Sequence, residues 1–83
     1  MSVELKLHLP EETFSALKMK PDEFLSQMRV AAAVKWYEQG KVSQSKASEI
    51  AGISRKDFLN ALNSFGVSPF QVDENEILEE IQN

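Results

Sequence analysis

Twenty residues near the middle of the chain, "SQSKASEIAGISRKDFLNAL" from Ser43 to Leu62, limit the fold more than any other stretch. An apolar helical rhythm runs through Ala47, Ile50 and Ala51, stops at Gly52 and resumes at Phe58. Each half has its own start signal. Ser43 opens the first, and Ser54 with Asp57 three residues on forms a capping-box pattern for the second. Gly52 supplies the left-handed dihedrals of a sharp turn. Ala47 and Ser48 are small enough to let the two helices cross closely, with Ile53 filling the space between them. The pattern predicts a helix–turn–helix over residues 43–65.

Stepping about 100° per residue from Phe58 puts Ala61, Leu62 and Phe65 beside it as an inward stripe. Lys56, Asn60 and Asn63 fall opposite, at the i, i+4, i+7 spacing of a solvent ridge. Such a ridge suits a major groove, because Asn bonds an adenine edge through two contacts and Arg or Lys bonds guanine. The expected DNA contacts divide by chemistry. Lys41 and Lys46, with the first-turn N–H groups of Ser43, Gln44 and Ser45, would hold phosphates. Arg55, Lys56, Asn60 and Asn63, on the helix that Ser54 opens, would read bases. Leu59 lies beside this ridge and is expected to be core against a partner protomer. The rival reading is a protein–protein interaction module that uses the helix pair as a scaffold and binds no DNA.

Net charge tests the DNA reading. The total is −4 at neutral pH, which by itself disfavours nucleic acid. Residues 41–65, however, carry four bases against two acids, whereas residues 66–83 carry five acids and no base. The basic charge coincides with the helix pair and the acidic charge with the tail.

The rest of the 83 residues are expected to form one mainly α domain around that motif. "SVELKLHLP" alternates strictly, with Val3, Leu5, Leu7 and Leu9 on one side, and predicts a half-buried N-terminal strand. A single strand needs a partner for its backbone groups, so these four residues are expected to pair in a homodimer. Pro10 followed by two acids begins a short helix with Phe14 and Leu17, making 1–20 the strand-and-helix part. "KPDEF" begins a long helix over about 21–40 that closes at Gly40. Residues 66–83 read as an extended segment and an acidic C-terminal helix. A strand followed by two helices also fits a ribbon-helix-helix, in which Glu4, Lys6 and His8 would face bases. The charge distribution ranks that mode second.

Several function classes are disfavoured. Cys is absent, which removes thiolate metal sites and disulfides and makes a reducing cytoplasm the expected compartment. His8 is the single histidine, and the paired acids are sequence neighbours that diverge around a helix. No phosphate loop or nucleophile motif occurs. The expectation is a protein that is not an enzyme, needs no cofactor, takes no small-molecule substrate and does not engage a membrane.

Residues 31–67 carry a more specific signal. Ala33, Val34, Lys35, Tyr37, Glu38, Gly40, Ser43, Lys46, Ala47, Glu49, Ala51, Gly52, Ser54, Arg55, Phe58 and Leu59 resemble the block A-V-K-x-Y-E-x-G-x-x-S-x-x-K-A-x-E-x-A-G-x-S-R-x-x-F-L. That block belongs to a small uncharacterised prokaryotic family of helix–turn–helix proteins, regarded as candidate antitoxins of toxin–antitoxin pairs. "LPEETFSALKMKPDEF" and the acidic end fit as well, so the resemblance covers nearly the whole chain. It implies a transcriptional or antitoxin role. In that role Phe70, Val72, Ile77, Leu78 and Ile81, set among the five acids, would contact a toxin protein. The plainer expectation for the same segment is a closing helix on its own domain.

Overall fold

Four helices account for the regular structure of residues 2–69, the part of the chain that the computed structural model describes. Helix α1 spans Glu12–Leu17, α2 Pro21–Glu38, α3 Gln44–Ala51 and α4 Arg55–Ser64. Their limits follow from local chemistry. Pro21 begins α2 at a position where its missing N–H costs nothing, and Asp22 and Glu23 sit against the positive end of the helix dipole. Ser43 Oγ accepts from Lys46 N at 3.2 Å and Ser54 Oγ accepts from Asp57 N at 3.1 Å, so both helices of the motif start on a serine cap.

The ends are equally uniform. At Gly40, Gly52 and Gly66 the chain enters the left-handed region, and a paired set of hydrogen bonds closes the preceding helix. For α4, Val67 N donates to Leu62 O at 2.8 Å and Gly66 N donates to Asn63 O at 3.1 Å. For α3, Ile53 N donates to Ser48 O and Gly52 N to Glu49 O, both at 3.1 Å. These are Schellman motifs, which satisfy carbonyls that a helix end otherwise leaves open. Val67 and Leu62, joined by one of these bonds, are both core residues.

The core lies where α2, α3 and α4 meet. Ala33, Val34 and Tyr37 come from α2, Ala47 and Ala51 from α3, Phe58 and Leu62 from α4, and Val67 from the segment beyond. Val30, Val42, Ile50, Ile53 and Ala61 pack around them. The Tyr37 and Phe58 rings meet edge to face, with centroids 5.9 Å apart at 88°. Alanine at 33 and 47, both with no exposed surface, leaves room for α2 and α3 to approach. Helix α1 is attached mainly through Phe14, whose ring stands edge to face on Phe24 of α2 at 5.3 Å.

The expected N-terminal strand is not formed, and with it goes the strand-paired fold class. Among the described residues there is no strand at all, and Val3, Leu5 and Leu7 are 84%, 88% and 60% exposed. Alternation specifies which face a strand would bury, but it supplies neither a neighbouring strand nor a surface to bury against. Without those, water solvates the backbone of this segment. Phe65 is a second correction. It is the cap of α4, beyond the last helical residue, and its backbone leaves the helical path there (ψ 2°). The residue is half exposed, whereas Val67, two positions on, is buried in the core. The acidic segment with Phe70, Val72, Ile77, Leu78 and Ile81 lies outside the described residues. Among the described residues no helix is long and apolar enough to cross a membrane.

Candidate nucleic-acid interface

Helix α4 has two unlike faces. Phe58 and Leu62 are completely buried, whereas Lys56, Asn60 and Asn63 are exposed. The split follows from spacing: the buried pair is four residues apart, and the exposed three sit at i, i+4 and i+7 on the other side. Three polar side chains able to donate hydrogen bonds therefore stand on one outward ridge. Leu59 beside them is 38% exposed, so within one chain it is a surface residue and not core. It adds an apolar contact of the kind that suits a thymine methyl group.

The first helix of the motif opens with its side chains turned inward. Ser43 is 1% exposed and Gln44 7%, so any phosphate contact here falls to the first-turn N–H groups and not to these side chains. Stepping α3 by the helical angle explains it: Gln44, Ala47, Ser48 and Ala51 share the i, i+3, i+4, i+7 stripe that packs inward. Ser45 is half-buried, and its carbonyl accepts from Ser48 Oγ at 2.8 Å, which satisfies that buried hydroxyl inside its own helix. Lys41 and Lys46 remain at the surface. Lys46 Nζ lies 3.4 Å from Glu49 across a largely solvated pair. Such a pair is worth only about 0.2–1 kcal/mol, so a phosphate can displace the carboxylate.

Arg55, in the first turn of α4, donates from one terminal nitrogen to Gln44 Oε1 at 2.8 Å. Gln44 Nε2 donates in turn to Pro69 O at 2.8 Å and to Tyr37 Oη at 3.2 Å. The starts of α3 and α4 are thus tied to α2 and to the segment after α4. Ser54 Oγ is committed to its cap and fixes where α4 begins.

Arg29 is the residue that sequence reasoning missed. From α2 its Nε donates to Ile50 O at 2.8 Å and its guanidinium reaches Glu49 O at 3.4 Å, at the negative end of α3. A Cβ on Gly52 would stand 2.9 Å from that guanidinium. No local pattern marks a residue that acts on a helix twenty positions away. Among the described residues no cluster of His, Asp or Glu is placed to hold a metal ion.

Comparison with known proteins gives this fold a family. The model of the uncharacterised protein family UPF0175 matches residues 1–83. A UPF0175 protein of Aeropyrum pernix (strain K1) is 32% identical over 81 residues, spanning 98% of this chain and 85% of that relative. No solved structure matches. With the match running from the first residue to the last, the chain belongs to the UPF0175 family.

Proposed function

We propose that this protein is a DNA-binding helix–turn–helix regulator that places α4 in the major groove and acts in the cytoplasm as the antitoxin of a toxin–antitoxin pair. The observation that carries the reading is the exposed Lys56–Asn60–Asn63 ridge on a helix whose other side is anchored by the fully buried Phe58 and Leu62. A rigid helix with donors on its free side has the form of a groove reader. The local excess of base over acid across residues 41–65 supports it. In this reading the DNA is a palindromic operator and the protein binds as a homodimer, with its two α4 helices about 34 Å apart in successive grooves. The toxin partner is assigned to the acidic segment 70–83, on the family resemblance and its five acids.

The test is a salt titration of binding to the duplex upstream of the protein's own reading frame. Affinity is expected to fall steeply as salt rises. Asn60→Ala should cost roughly 1–3 kcal/mol and relax the requirement at one base pair. Lys46→Ala should weaken all sequences alike and flatten the salt slope by about one unit. Binding that ignores salt, or full affinity in the Asn60→Ala protein, would favour the scaffold reading, in which the same helix pair serves a protein partner.

A further inference from the structure

Helix α2 is apolar on two sides. Val30, Ala33, Val34 and Tyr37 turn toward α3 and α4. Stepping about 100° per residue puts Leu25, Met28, Ala32 and Trp36 in one sector about 80° wide on the far side, with no charged residue inside it. Leu25, Met28 and Trp36 are 52%, 37% and 41% exposed, so no described residue covers them. A helix with apolar stripes on opposite sides is one that packs on both. We infer that this outward stripe of α2 is the joint between two copies of the chain, packed antiparallel on the same stripe of the second copy. The inference deepens the homodimer proposed above, on which it rests for the choice of two copies, and it needs no DNA contact.

The stripe is its own complement. Met28 and Trp36 stand four residues to either side of Ala32, large, small, large. A two-fold axis beside Ala32 therefore sets each Trp36 over Leu25 and Met28 of the other copy, thioether against indole. Alanine at the crossing lets the helix axes approach to about 8 Å. The flanking charges are already engaged: Lys35 pairs with Glu38 of its own helix at 2.9 Å, and Arg29 is turned to the α3 carbonyls. Antiparallel order also brings Asp22 and Glu23, which open α2, toward the exposed Lys41 of the other copy, with opposite helix-dipole ends side by side. Lys18 and Lys20 precede the helix and fall beyond this overlap. One helix pair lies at the small end of specific interfaces, below about 1,200 Å² in total, so the dimer should dissociate in the micromolar range.

Trp36 is the single tryptophan and Cys is absent, which gives two clean readouts. In sedimentation equilibrium the full chain should be a dimer above micromolar concentration, with Trp36 emission moving to the blue as the dimer forms. Trp36→Lys and Met28→Lys should each raise the dissociation constant about tenfold or more. Far-ultraviolet circular dichroism should stay unchanged in both, because neither side chain belongs to the core. Ala32→Cys should give a disulfide-linked dimer on mild oxidation, since the axis brings its two Cα atoms within the roughly 7 Å that a disulfide spans. Leu59→Cys, on α4, should not. A wild type that stays monomeric at its highest soluble concentration would overturn the inference, and a shielded Trp36 in that monomer would assign the stripe to residues 70–83. A dimer untouched by Trp36→Lys, or one that cross-links at residue 59 and not at 32, would overturn it equally. A dimer that behaves as expected yet ignores the upstream duplex at low salt would remove the DNA reading and leave the joint standing.

Discussion

Replacing Phe58 with alanine is expected to remove most of the domain's stability. The ring has no exposed surface and sits between α2 and α3, edge to face with Tyr37. Large-to-small changes of this type cost about 3–5 kcal/mol, the sum of lost transfer energy and an unfilled cavity. A domain of this length holds only roughly 4–12 kcal/mol in total. Urea unfolding followed by circular dichroism should show the midpoint displaced by several molar or the transition lost altogether. A midpoint close to wild type would mean that α4 does not pack through this residue, and the outward placement of Lys56, Asn60 and Asn63 would fall with it.

Gly52→Ala should have the second-largest effect, for two separable reasons. The backbone there is left-handed (φ 73°), where a Cβ costs about 1–2 kcal/mol. The added carbon would also stand 2.9 Å from the Arg29 guanidinium and push it off the α3 carbonyls. Together these should cost roughly 2–3 kcal/mol, or about 10–20 °C in melting temperature for so small a domain. In an Arg29→Ala background the collision is absent and only the backbone cost remains, so the two substitutions should combine to less than their sum. Full additivity would show that Arg29 does not lie over the turn.

The contrast between Gly52 and Arg29 also explains what could be read from the sequence. Helix limits were legible because their causes are local: Pro21, the serine caps at 43 and 54, and the glycines at 40, 52 and 66 each act within a few residues. The buried face of α4 was legible at Phe58 and Leu62, where periodicity holds, and failed at Phe65, where the helix has already ended. The ridge of Lys56, Asn60 and Asn63 was legible for the same reason. The strand at 3–9 was misread because alternation is a statement about faces, and a strand exists only with a neighbour. Gln44 was assigned to phosphate through its first-turn N–H, and the inward turn of its side chain was left unread although its position on the α3 stripe already implied it. Arg29 left no trace, since its partners are backbone carbonyls, which look alike in every sequence.

Helix α3 is fastened to α2 at both tips, by Arg29 at its C-terminal end and by the Tyr37–Gln44 contact at its N-terminal end. A beam clamped twice can neither roll nor slide. α4, by comparison, rests on that frame through the buried Phe58 and Leu62 together with the Arg55–Gln44 bond, so a tilt against the clamped pair is most readily made by this element. Amide protons should disclose the difference as slow solvent exchange along α3 and quicker exchange towards the far end of α4.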